Sequence, residues 1–161
     1  KILKDIINEL RNMIYNLRPM SFDDIGFNIT VERALDKLRN SNNIRCNFKT
    51  SGDEYMVDSL VSLTLLRVIQ EACSNSIKHG HAKEINVSLK YEPKSLTLTI
   101  KDDGDGFDTS AIPEFTRDDN SGFGLSMMKE RIYLLSGKIS ILSKPAEGCT
   151  VRVIIPVNKE D

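Results

Sequence analysis

Apolar residues recur at helical spacing from the start of the chain: Ile2, Ile6, Leu10, Met13 and Leu17, until Pro19 closes the pattern. This predicts an amphipathic helix that needs a partner for its apolar stripe. After the short connection "SFDDIGF", a second helix is expected through "NITVERALDKLRN", with Ile29, Ala34, Leu35 and Leu38 as its apolar positions and Asn40 to Asn43 ending it. The period then switches to two: "IRCNFKT" alternates Ile44, Cys46 and Phe48 and reads as a strand, followed by the loop "SGDE". A long helix is expected from about Val57 to His79, capped by Gly80. "EINVSLKYE" and "SLTLTIK", joined by "EPKS", form a hairpin, and "KISILS", "PAEG" and "CTVRVIIPV" form another. Between the hairpins lie the polar loop "TSAIPEFTRDDNS" and a helix, "GFGLSMMKERIYLLSG", entered through glycines.

The pattern predicts an N-terminal helical arm and an α+β body of about five strands and three helices. Alternation in every strand favours a two-layer sandwich, one sheet face on the helices and the other toward water. A length of 161 residues with 40% hydrophobic content fits one domain. Lys and Arg total 22 against 23 Asp and Glu, so no global basic field attracts nucleic acid or an anionic membrane. Cys46, Cys73 and Cys149 are far apart and form no C-x-x-C pair, which indicates neither a zinc site nor a disulfide framework and favours a reducing cytoplasm. No apolar run approaches the length of a membrane span, and the chain opens at Lys1 already inside a helical pattern, as expected for a piece of a longer protein.

The chemistry concentrates in "KDDGDGF", residues 101–107. An EF-hand fits poorly, because counting from Asp103 puts Phe107 at a ligand position and Asp108 where glycine must stand. No G-x-x-x-x-G-K-[ST] or complete G-x-G-x-x-G occurs either. Two readings remain: a charged turn, or a strand end whose Asp102 offers a carboxylate to an exocyclic amine such as that of adenine, with Gly104 and Gly106 admitting a flat ligand. Gly122 and Gly124 open a helix whose first amides suit an anion, or are a plain helix entry. Arg67, Glu71, Asn75 and Lys78 share one face of the long helix. That face is either a solvated stripe or a set offering Mg²⁺ an amide oxygen, phosphate a cation and a proton an acceptor.

Together, "RVIQEACSNSIKHG", "DDGDGF", "GFGLSMMKERI" and "EGCTVRVIIP" resemble, in this order, the ATP-binding domain of sensor histidine kinases and their wider ATPase superfamily, over about Val57 to Val157. "NLRPMSFDDIGF" resembles the junction of dimerisation helix and catalytic domain in the nitrate-sensor and degradation-sensor subclass. The resemblance implies a Bergerat fold with a mixed sheet, residues 1–26 as the end of a dimerisation helix and linker, and residues 27–161 as the catalytic domain. It further implies that Asn75 coordinates Mg²⁺, Glu71 serves as base or positions groups, Lys78 and His79 lie near phosphate, and Asp102 takes the adenine amine. Gly104 and Gly106 would shape that wall, Gly122, Gly124 and Leu125 would close on the phosphates, Thr150 would help hold adenine, and residues 108–121 would be the lid. At 103, where the family often has Asn, this chain places a second negative charge.

The implied activity is γ-phosphoryl transfer from Mg-ATP to a histidine, for relay to a response regulator with helix-turn-helix output, by a homodimer attached to membrane only through other segments. No histidine precedes His79, so this piece is expected to bind ATP without phosphorylating itself. A related serine kinase or ATPase, and a non-catalytic interaction module, are the competing functions.

Overall fold

A computed structural model of the chain describes residues 25–111 and 123–157. Helix α1 (Phe27–Asn42) leads to strand β1 (Arg45–Ser51), then helix α2 (Ser59–Lys78), β2 (Glu84–Glu92) and β3 (Ser95–Asp102). A single 3-10 turn (Thr109–Ala111), helix α3 (Phe123–Leu134), β4 (Lys138–Ser143) and β5 (Cys149–Pro156) follow. The arm at residues 1–24, the lid beyond Ala111 and Gly122 lie outside the described residues.

The strands form one sheet in the order β1-β2-β3-β5-β4. β1 and β2 are parallel and every other neighbouring pair is antiparallel, so the sheet is mixed. The parallel pair follows from α2, which carries the chain back to the starting end of the sheet between β1 and β2. Period-two burial then sorts the side chains. Ile85, Val87, Leu89 and Tyr91 of β2, Leu96, Leu98 and Ile100 of β3, and Val151, Val153 and Ile155 of β5 turn inward against the helices. The helices supply Leu65, Val68, Ile69 and Ala72 from α2 and Met128 and Ile132 from α3. The two-layer α+β sandwich read from the sequence, five strands under three helices, is the architecture observed.

Two local expectations are corrected. In α1 the inward face is Phe27, Val31 and Leu35, while Ile29 is 52% exposed; two residues from Phe27 and Val31 is roughly 200° around a helix, the opposite side. At the end of α2, Gly80 does not adopt the left-handed cap conformation. His79 is the cap residue, the N–H groups of His79 and Gly80 both donate to the Asn75 carbonyl, and the left-handed residue is His81, at φ 51°. The start of α2 is capped by Asp58, whose carboxylate accepts the N–H of Leu60 at 2.9 Å.

Leu98 is fully buried in the central strand, so Leu98→Ala is expected to cost about 2–5 kcal/mol in chemical denaturation. Leu142, 68% exposed, should lose less than about 0.5 kcal/mol on the same change, and equal losses would contradict the assignment of faces.

Candidate functional site

The alternation of β3 runs to its last residue, and the parity that turns Leu98 and Ile100 inward also buries Asp102, at 6% exposure. A carboxylate so placed must be hydrogen-bonded or paired. Oδ1 accepts the N–H of Gly104 at 2.9 Å and of Cys149 at 3.1 Å, and Oδ2 accepts the Ser76 hydroxyl at 2.6 Å. Ser76 also lies 2.9 Å from the Ala72 carbonyl, and its single proton goes to the charged, nearer acceptor. A carboxylate offers about four acceptor positions. Three are filled by the fold, and the one remaining belongs to Oδ2, beside the C-terminal half of α2.

The residues after Asp102 close on the protein's own backbone. A side chain at Gly104 would strike the Gly80 carbonyl, and one at Gly106, held at φ 64°, would strike the carbonyl of Lys144. These approaches lock the strand end against α2 and the β4–β5 turn: Asp105 donates its N–H to the Gly80 carbonyl at 2.7 Å and accepts that of Ala146 at 2.6 Å. Ser143 Oγ accepts the Phe107 N–H and donates to the Gly148 carbonyl. The glycines expected to admit a flat ligand thus first admit neighbouring backbone, and so build the wall around Asp102.

The other carboxylates have separate roles. Asp103 Oδ1 accepts the N–H groups of Lys83 at 2.8 Å and Glu84 at 2.9 Å, and these bonds to the Glu84 and Lys83 amides hold its carboxyl below the ordinary aspartate value. Its charge is spent on starting β2. Asp105 meets the His81 ring at 2.7 Å in an exposed pair.

On α2, Arg67, Glu71 and Asn75 are half-buried and Lys78 is exposed, so most of the stripe is not simply solvated. Burial, reinforced by the nearby Arg131 guanidinium, lowers the Arg67 pKa. The Glu71 carboxylate reaches the first turn of α3, where it fills the space a side chain at Gly124 would need. Leu125 packs against the core from that same turn. His79, at the end of α2, is exposed. Among the described residues no three His, Cys, Asp or Glu side chains could hold a metal ion together. A cation at Asn75 would therefore take one amide oxygen, with water and a bound anion completing its shell. That donor set suits Mg²⁺, which dehydrates reluctantly.

One expected residue is not brought here. Register pairs Thr150 with Lys101 and Leu142, on the face away from the helices, whereas Asp102 faces inward. The residue at Asp102 is Cys149, through its amide; burial, with the Asp102 charge adding, pushes its thiol up to about 11, so it stays protonated. Ser76 was also missed. Parity counted back from Val151 finds Cys149, and a serine on the apolar stripe Leu65, Ile69, Ala72 and Cys73 is the signal for Ser76.

The sequence profile of the histidine kinase-, DNA gyrase B- and HSP90-like ATPases matches residues 61–159. The signal transduction histidine-protein kinase/phosphatase DegS of Brevibacillus brevis is 34% identical over all of this chain, which spans 40% of that relative. An uncharacterised sensor-like histidine kinase of Chloroflexus aurantiacus is 34% identical over 92% of this chain, which spans 25% of it. Among solved structures, the blue-light-activated histidine kinase of Erythrobacter litoralis EL346 superposes with a TM-score of 0.70 at 16% identity, over 97% of this chain and 51% of that one. The catalytic domain of histidine kinase ThkA gives 0.63 at 18%, over 81% and 89%. At such identities these structures establish a shared fold.

Gly106→Ala combines a left-handed backbone with a collision at Lys144, and should lower stability by more than about 1 kcal/mol in thermal unfolding. Asp103 stabilises the fold above the ordinary aspartate pKa, and this contribution is lost as pH falls through its depressed folded value. Asp103→Asn keeps an oxygen for both amides, so the variant should show a shallower loss of stability on the acid side; an unchanged acid limb would contradict that role.

Proposed function

The chain belongs to the histidine kinase-, DNA gyrase B- and HSP90-like ATPase family, and we propose that it works as the ATP-binding, catalytic part of a two-component sensor kinase. The γ-phosphoryl group of ATP passes to a ring nitrogen of a histidine on a dimerisation hairpin: the bond from phosphorus to the ADP oxygen breaks and a phosphorus–nitrogen bond forms. A response regulator of the helix-turn-helix output class then receives the group, from a kinase that is a homodimer. In this reading residues 1–26 end the dimerisation helix and link it to the body, and the domain works in the cytoplasm.

Asp102 carries the proposal. Its remaining acceptor position on Oδ2 matches the exocyclic amine of adenine, and a base with an oxygen there would set two acceptors against each other. Cys149 contributes a neutral, protonated thiol to the same wall. Lys78, with His79 beside it, supplies positive charge at the end of α2 for the phosphates. Gly124 and Leu125 bring backbone amides to them at the start of α3, and Gly122, which lies outside the described residues, is assigned to the same loop from the sequence alone. Glu71 orients the acceptor imidazole or takes its proton. Asn75 would hold Mg²⁺ through its amide oxygen, and the ion would supply positive charge against the phosphates.

Calorimetric titration with Mg-ADP tests the reading. Saturable binding is expected, with an inosine nucleotide at least tenfold weaker. Asp102→Asn should weaken ADP binding by about tenfold or more, because a charged hydrogen bond of about 1.5–3 kcal/mol is replaced by an amide that presents a donor to the amine. Asn retains an oxygen for Gly104 and Cys149, so folding should persist. A variant that binds both nucleotides as the parent does would remove adenine from Asp102.

A further inference from the structure

The alternation that builds the core leaves a second surface whose composition differs from the chain as a whole. On the face away from the helices, register aligns three central rows of five residues: Asn47–Asn86–Lys101–Thr150–Leu142, Lys49–Ser88–Thr99–Arg152–Ser140, and Ser51–Lys90–Thr97–Ile154–Lys138. These rows hold five cations, Lys49, Lys90, Lys101, Lys138 and Arg152, and no carboxylate. At the margins stand Arg45 paired with Glu84 at 3.1 Å, Asp103 beside that pair, and Glu92, which pairs with Lys90 at 2.8 Å. With these margins counted the face carries a surplus of three positive charges within a chain of net charge −1, and the remaining residues sum to −4. Lys49, Lys90, Lys101, Lys138 and Arg152 are all exposed, and no described element lies over them.

We infer that this open sheet face is a docking surface for the anionic headgroups of a membrane. Its extent and chemistry select that partner. Five strands at about 4.8 Å and three rows at about 6.8 Å span a surface of roughly 19 by 14 Å. Between the cations stand short hydroxyl and amide side chains, Ser88, Thr99, Ser140, Asn86 and Thr150, with Thr97 buried among them. The rows contain no aromatic residue, the anchor on which protein interfaces concentrate their affinity. Among the described residues no helix or ribbon rises from the face to enter a nucleic-acid groove. A plane of mobile lipid headgroups, by contrast, can arrange itself beneath fixed cations. Leu142, 68% exposed in the row of Lys101, adds an apolar contact at the edge strand. Asp102 lies on the helix side of the sheet, so a domain lying on this face keeps its nucleotide pocket turned away from the lipid.

Each cation near an anionic bilayer is worth about a fivefold gain in partitioning, which screening reduces over a length of about 10 Å at 0.1 M salt. The 161-residue chain should co-sediment with phosphatidylglycerol-containing vesicles at low salt, release as salt rises, and ignore pure phosphatidylcholine. Reversing Lys101→Glu together with Arg152→Glu more than cancels the surplus and should reduce binding by more than about a hundredfold. The matched pair Arg33→Glu and Lys37→Glu, on exposed positions of α1, should leave it within about threefold by the same electrostatic reasoning. Lys90→Gln with Lys138→Gln, a milder pair in another row, should give an intermediate loss and covers the case in which the reversal unfolds the domain. Thermal unfolding and Mg-ADP binding, measured on every variant, separate loss of the face from loss of the fold. Binding to both vesicle types alike, failure to bind anionic vesicles, or anionic binding that survives both face variants would overturn the proposal. So would face-dependent capture of duplex DNA or RNA without vesicle binding.

Discussion

A negative charge at the end of the central strand sets the terms for this domain. Leaving a carboxylate buried without partners costs several kcal/mol, about as much as the whole net stability of a small domain. Asp102 is kept there by three donors from three separate segments: Gly104 just beyond it, Ser76 on α2 and Cys149 at the start of β5. Each donor fixes a tertiary relation. Ser76 sets the distance between α2 and the sheet, Cys149 sets the start of β5 beside the end of β3, and Gly104 sets the turn that leaves the strand. The close approaches of Gly104 to the Gly80 carbonyl and of Gly106 to that of Lys144 lie beside these donors and leave no room for a side chain at either glycine.

Much of this was legible in the sequence, because the alternation of the strands and the glycine punctuation depend on neighbours one to four residues away. The five strands, the three helices and the buried Asp102 needed nothing more. Three features needed tertiary information. Ile29 is apolar yet exposed, since helical phase is set by whichever residues meet the sheet, and Phe27, Val31 and Leu35 do. The left-handed turn after α2 falls on His81 rather than Gly80, where the Gly80 carbonyl is held by the Asp105 N–H and a side chain would press on the Ser76 carbonyl. Thr150 is one residue out of phase with Asp102, and a shift of one in a strand exchanges the faces.

The same parity divides the domain's chemistry into two surfaces. Inward positions on β3 and β5 lead from an apolar core to a single satisfied carboxylate, where low dielectric strengthens a polar contact and neutral thiols flank it. Outward positions on the same strands collect lysine, arginine and hydroxyl side chains. Lys101 and Asp102 are adjacent in sequence and serve opposite sides of a sheet one residue thick. A net charge of −1 conceals this segregation, so the balanced composition that argued against any polyanionic partner holds for the chain and not for this face.

Two of the three donors to Asp102 are backbone amides, and that explains why residue identity around it was hard to read. An N–H at position 149 serves Oδ1 whatever side chain the residue carries, so this role selects a position in the register and leaves cysteine, threonine or serine equally able to fill it. Ser76 differs, because its hydroxyl is the donor and only Ser or Thr could replace it without leaving Oδ2 short of a partner. With the desolvation and orientation of the carboxylate already met by the protein, a ligand amine arriving at the remaining position has little to reorganise. Affinity for the amine then depends chiefly on how rigidly α2 and the two hairpins hold one another, and the glycines of "KDDGDGF" contribute by letting those backbones touch.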